Sequence, residues 1–225
     1  MKWFIVVIIA VMLVLVGCGS SLDTQDDSCL ALEEGPVRQN CYFEQLQCSK
    51  MTSGSVRDSC VAELAKQKKD ITVCNLIKDE TVVGYCQNQI AQLTNDQQVC
   101  NGITNTYWED NCNFRLGVNN SNADFCSNIA DNEQRRTCFR TVAFETNNSG
   151  ICQFLPGDEQ DTCLLTIARQ EQNVTLCGNL STSISKDACR YKIAKESEQQ
   201  EYCSLIVSKY MREMCEQKFN TSVEQ

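Results

Sequence analysis

Thiols carry the widest chemistry in this sequence. There are 17 cysteines among 225 residues, and no histidine. A cysteine thiolate can act as a nucleophile, a metal ligand or one half of a disulfide. The lack of histidine removes Ser-His and Cys-His catalysis and every His-ligated metal site. Thiolate metal sites usually set two cysteines two to four residues apart. Here the nearest pair, Cys41 and Cys48, is seven apart. The spacing therefore argues against zinc or iron–sulfur ligation, no cofactor is expected, and the thiols read as a disulfide framework from an oxidising compartment.

Other residues offer weaker chemistry. Ser183-Ile184-Ser185-Lys186 matches the Ser-x-x-Lys of penicillin-recognising enzymes, but their Ser-Asp-Asn and Lys-Thr-Gly partners are absent. With no complete catalytic motif, no enzyme is expected. Five Asn-x-Ser/Thr sequons, at Asn119, Asn147, Asn173, Asn179 and Asn220, are candidate glycosylation acceptors. Asn173 also falls where a helix cap is expected, which is its simpler role. Tyr107 and Trp108 form an adjacent aromatic pair in the first turn of one second helix, so they are read either as a partner contact or as packing against the adjacent unit. The acidic residues from Asp23 to Asp27 and from Asp158 to Asp161 lack EF-hand spacing. They read as solvated charge and as helix-start charge complementing the dipole.

The elements that position the cysteines follow from their period. Cys74 and Cys86 are 12 residues apart, Cys100 follows 14 later, and this 26-residue pattern repeats. Four residues before the first cysteine of successive units stand Asp70, Asp96, Asn122, Asn148, Asn173 and Gln199, all but the last preferred N-cap types. Seven residues before the second stand Ser53, Asp79, Asn105, Asp131, Thr182 and Ser208, with Pro156-Gly157-Asp158 as the turn in the one unit shortened by a residue. Each unit is thus two helices. The spacing predicts a first helix from Ile71 to Lys78 and a second from Glu80 to near Leu93. Isoleucine, leucine or valine recurs four residues beyond most second cysteines, and then Ala65, Ala91, Gly117, Ala143, Ala168 and Ala194 suggest a close helix approach.

Geometry selects the pairing. About the turn at Asp79, Cys74 and Cys86 lie about 7.5 and 10.5 Å along their helices, a mismatch of about 3 Å. The rival pair across Asp96, Cys86 with Cys100, mismatches by about 9 Å. Eight bonds follow: Cys29–Cys41, Cys48–Cys60, Cys74–Cys86, Cys100–Cys112, Cys126–Cys138, Cys152–Cys163, Cys177–Cys189 and Cys203–Cys215. Only seven residues separate Cys41 from Cys48, so the second helix of the first unit must be truncated or fused to the next, as suits a capping unit.

Cys18 stands outside this period. Lys2 is followed by an apolar run from Trp3 to Val16, about 21 Å as a helix and too short for a bilayer core of about 30 Å. It has the form of a secretory signal peptide. Its end, Leu15-Val16-Gly17-Cys18-Gly19-Ser20, resembles a prokaryotic lipobox. That resemblance implies cleavage before Cys18 and lipid modification of Cys18 itself. Loss of Lys2 with the leader would take the formal charge from −9 to −10. An acidic chain suits neither nucleic acid nor an anionic membrane surface.

The expected organisation is a signal peptide over 1–17, a flexible tether over 18–28, an eight-unit array over 29–220 and a tail over 221–225. The expected fold is all-α, a right-handed α-solenoid of short αα-hairpin repeats with one disulfide each. With helices about 10 Å apart, eight units would extend about 80 Å. In plan this resembles the Sel1-like cysteine-rich repeat proteins, although the unit is 26 residues instead of about 36 and their glycine-alanine signature is absent. The cysteine-rich lipoproteins of prokaryotes are a nearer likeness. The function expected is a non-catalytic, lipid-anchored protein of the cell envelope or surface, scaffolding another surface protein or a glycan. An envelope hydrolase acting on wall or antibiotic, as the Sel1-like plan implies, and a spacer without a ligand are the alternatives.

Overall fold

The computed structural model describes residues 28–52 and 54–220. The leader, Cys18, the tether up to residue 27, the Ser53 cap and the tail after 220 lie outside the described residues. Among those described there are eight helix pairs and no strand. Unit 1 pairs Ser28–Ala31 with α1 (Pro36–Glu44), and unit 2 pairs Cys48–Lys50 with α2 (Gly54–Lys68). Unit 3 pairs Ile71–Leu76 with α3 (Glu80–Thr94), and unit 4 pairs α4 (Gln97–Asn101) with α5 (Thr106–Asn119). Unit 5 pairs Phe125–Asn128 with α6 (Asn132–Thr146), and unit 6 pairs Ser149–Phe154 with α7 (Gly157–Gln170). Unit 7 pairs Val174–Asn179 with α8 (Ser183–Ser197), and unit 8 pairs Gln200–Leu205 with α9 (Lys209–Asn220).

The short helices depart from the sequence expectation. In place of an α-helix from Ile71 to Lys78, unit 3 has a six-residue 3₁₀ helix ending at Leu76. Only α4 among the short helices is α. The cause is the nearness of the second cap. Asp79 must be extended to start α3, so the chain leaves the helix at Ile77, which is already extended, with its N–H bonded three residues back to the Cys74 carbonyl. Cys74 and Ile77 are buried, and Val73 between the cap and Cys74 is half-buried.

The caps hold the hairpins in place. Asp70, Asp96, Asn148 and Asn173 each accept from the amide two residues on, and Asn122 does the same. Asp79, Asn105, Asp131, Thr182 and Ser208 cap the long helices. Gln199 makes no side-chain cap. Where a residue is missing in unit 6, Gly157 has φ +41°, a left-handed conformation that glycine adopts at little cost.

Each long helix passes to the next unit through one fixed junction. The amide of Asp70 bonds to the Ala65 carbonyl five residues back, and Asp96–Ala91, Asn122–Gly117, Asn148–Ala143, Asn173–Ala168 and Gln199–Ala194 repeat the bond. The residue before each cap is left-handed: Lys69, Asn95, Ser121, Asn147, Gln172 and Glu198. This is the Schellman ending, usually given to glycine. A side chain there costs about 1–2 kcal/mol, while glycine loses more chain entropy on folding, by roughly 0.5–1 kcal/mol. Gln172→Gly and Lys69→Gly are therefore expected to raise the unfolding free energy by about 0.5 kcal/mol each. A drop on urea titration would show that these side chains hold the junction by other contacts.

The first junction reveals how seven residues were lost. Gln47 bonds back to Tyr42, only one residue past Cys41, so α1 is a full turn shorter than its counterparts. The next short helix begins at Cys48 itself and lacks its first three residues. The expected truncation is thus divided between two elements.

Fifteen of the sixteen described cysteines are buried, and Cys41 is half-buried. The eight disulfides join the two helices of each unit at Cα separations of 5.5 to 5.8 Å. The alanine column is fully buried. Its one glycine shows why the column is small, since a Cβ on Gly117 would lie 3.1 Å from Cys138 Sγ and 3.4 Å from Cys126 Sγ, the disulfide of the following unit. Contacts between elements run chiefly within a unit or to the next. Eight disulfides point to an oxidising compartment. Among the described residues no helix is long and apolar enough to cross a membrane.

Candidate binding groove

Units are tied together by a polar column two residues before each second cysteine. Buried Asp58 accepts from the amides of Lys78 (3.3 Å) and Asp79 (3.2 Å) in the following turn. Asp110 accepts from Ala130 (2.7 Å) and Asp131 (2.9 Å), and Asp187 from Val207 (2.9 Å) and Ser208 (2.8 Å). Asp161 takes the amide and hydroxyl of Ser181, so it secures the next unit instead of serving only as helix-start charge. Gln39 accepts from Thr52 in the same way, and Arg136 pairs with Glu159 of the next unit at 3.2 Å.

Unit 3 breaks this column with buried Gly84. The space is taken by Trp108 from unit 4, since a Cβ on Gly84 would lie 2.6 Å from Trp108 Cδ1 and 3.0 Å from Cγ. Trp108 is seated by its own amide, which donates to the Asn105 cap at 3.2 Å. Tyr85 meets the indole edge-on at a centroid distance of 5.3 Å, and Tyr107 does so at 5.0 Å. The indole N–H is buried without a hydrogen-bond partner among the described residues. Gly84→Ala is expected to drive the indole from its seat and to cost about 1–3 kcal/mol by overpacking. The check is tryptophan emission in a Trp3→Phe background, where Trp108 is the remaining tryptophan. An unchanged spectrum and stability would refute the seat.

Beside this break lies a groove of about 410 Å³. Phe43, Ala62, Val82, Tyr85 and Trp108 form its apolar lining, contributed by four successive units. Ser59, Thr81 and Gln89 add neutral polar groups, and Glu63 with Lys66 adds an ion pair at 3.2 Å. The interface of α3 with α5 is polar further along. Buried Asn88 donates to Asn111 at 3.0 Å and accepts from Gln92 at 2.6 Å. Fully buried Asn113 donates to the Glu109 carbonyl, while its Oδ1 is unpartnered among the described residues. Burial, and then the nearby Asp110 charge, pushes the Glu109 carboxyl above its ordinary pKa.

The two aromatic residues flagged by sequence thus divide their roles. Trp108 packs against the preceding unit and lines the groove, whereas Tyr107 is 66% exposed. Gly84, Tyr85, Phe43 and Gln89 were not flagged. Aligning the units on their second cysteines would have exposed Gly84 as the sole small residue in a column of polar ones.

Ser183 opens α8 in an exposed position, and no hydrogen bond joins it to Lys186 among the described residues. Asn119, Asn147, Asn179 and Asn220 are exposed. Asn173 is half-buried, with its Oδ1 accepting from the Thr175 amide and hydroxyl. Among the described residues no group of three or more acidic, histidine or cysteine side chains is placed to hold a metal ion. No family model matches the chain, and no curated protein and no solved structure is similar to it.

Proposed function

We propose that the protein is a non-catalytic binding scaffold of the cell envelope or surface, exported behind its leader and lipid-anchored at Cys18. In this reading the units stack as a right-handed α-solenoid, on the general plan of Sel1-like repeats, and present the groove to a surface protein or a glycan. One observation carries it. The repeat's inter-unit polar column is replaced at Gly84 by a neighbouring tryptophan, and an aromatic groove opens at that place. A spacer without a ligand has no need of such a break.

Nothing favours the hydrolase alternative. In a second depression, near Asp158 and Lys192, the Ser185 hydroxyl is bonded to Thr182 at 2.8 Å and Asp161 is bound to Ser181. Both are occupied in holding helix starts together, and among the described residues the Ser185 hydroxyl is bonded to Thr182 and not to a base.

The anchor is tested by metabolic labelling with a radioactive fatty acid followed by membrane fractionation. The expected result is a labelled membrane-bound chain, with label and membrane retention both lost in Cys18→Ser. Label persisting in that variant would sink the anchor. Incubation with cell-wall polymer or a chromogenic β-lactam is expected to release no product, and turnover would restore the enzyme alternative.

A further inference from the structure

The groove's chemistry narrows its ligand. We infer that it binds a neutral oligosaccharide, with the apolar face of a pyranose ring against Tyr85 and Trp108; this rests on the scaffold reading above. The first argument is charge. Glu63 and Lys66 neutralise one another across 3.2 Å, and the remaining polar lining, Ser59, Thr81 and Gln89, is uncharged. An anionic or cationic ligand would meet no complementary charge there, and the chain's −9 further disfavours anions.

The second argument is the source of the hydrogen-bonding groups. The lining residues lie on α1, α2, α3 and α5, whose backbone groups are used within the helices or, at Thr81, Val82 and Trp108, by the caps. A peptide bound as a strand needs backbone partners along an open edge, which helices do not supply. A peptide bound as a helix needs a long apolar trough, whereas five apolar residues here are interleaved with five polar ones. Side-chain hydroxyls, an amide and an ion pair around aromatic faces match a ligand rich in hydroxyls on its rim and C–H groups on its face. The negative face of an aromatic ring attracts such polarised C–H groups. A volume of about 410 Å³ lies within the range of small-ligand sites.

The test uses the full-length chain in detergent with Trp3→Phe, so that emission reports Trp108. Neutral probes are cellotetraose, maltotetraose and N-acetylglucosamine tetramer. A proline-rich decapeptide and a polyanionic glycan serve as comparison ligands. Saturable change in Trp108 emission with at least one neutral sugar is expected. Tyr85→Ala, at a residue 42% exposed, is expected to weaken that binding at least tenfold while the helical circular dichroism is retained, and Gln89→Ala about fivefold. No response to any neutral sugar at millimolar concentration overturns the inference. A response to the peptide alone overturns it too, but leaves the scaffold reading standing. Cleavage of a bound sugar, seen by mass spectrometry, would overturn the non-catalytic reading while keeping the sugar as ligand. Equal affinity in Tyr85→Ala and the parent would place binding elsewhere and sink the groove.

Discussion

Full reduction of the eight disulfides at neutral pH is expected to abolish the helical circular dichroism of the protein cooperatively. Each bond closes a loop of about a dozen residues, worth about 3 kcal/mol in the chain-entropy model. Eight such contributions exceed the 5–15 kcal/mol by which whole domains are usually stable. The short helix of each unit has little else to hold it. The short helices are 3₁₀ segments of three to six residues, apart from α4, and one apolar side chain beyond each completes the pair. Replacing both Cys126 and Cys138 by serine, in the middle of the chain, is expected to cost about 3 kcal/mol or more on guanidinium titration. Both sulfurs are fully buried against Gly117, so the loss includes packing as well as chain entropy. The same double replacement at Cys29 and Cys41, where one sulfur is half-buried in the first unit, is expected to cost less. Retention of full helicity in excess reductant would show that the stacked helices hold without their staples.

The second large effect is expected at Asp110. Asp110→Ala leaves the amides of Ala130 and Asp131 without their acceptor, in a site where the carboxylate is 3% exposed. Hydrogen bonds to charged groups contribute about 1.5–3 kcal/mol each, so a loss of about 3–5 kcal/mol is expected against an exposed control such as Glu145→Ala. Equal midpoints in the two variants would sink the claim that this column joins the units. Asp187 makes the same joint and adds a pH dependence. Burial pushes its carboxyl up, but the Val207 and Ser208 amides and Arg190 outweigh burial and hold it below the ordinary value. A depressed carboxylate contributes stability that is fully present above its unfolded pKa, about 3.9, and is lost as pH falls through the lower native value. Acid unfolding should therefore move to higher pH in Asp187→Asn. Unchanged acid stability would remove Asp187 from the account.

Much of this architecture was legible because disulfides and caps act locally. The spacing of Cys74 and Cys86 and the caps Asp70 and Asp79 define a helix pair with no knowledge of its neighbours. What was illegible depends on neighbours. The left-handed ends at Lys69, Gln172 and Glu198 carry no turn residue, because the bond from the following cap amide imposes the conformation. The 3₁₀ character of Ile71–Leu76 arises from the reversal needed before Asp79, which periodicity cannot separate from one turn of α-helix. Gly84 has meaning only beside Trp108, 24 residues later, a relation that the columns of repeated residues do not contain.

The truncated first junction has a consequence for how the bonds are made. In every complete unit a cysteine's native partner is 12 residues away, or 11 in unit 6, while its rival in the next unit is 14 away. Proximity alone then favours correct pairing as the chain lengthens. At Cys41 the order is reversed, because Cys48 is seven residues ahead and Cys29 twelve behind. The truncation there thus makes Cys41 and Cys48 the one neighbouring pair within the array, Cys29 to Cys215, for which the nearest thiol is the wrong one. Oxidation outpacing folding would trap the chain at that point, and release would require thiol–disulfide exchange through the half-buried Cys41 sulfur.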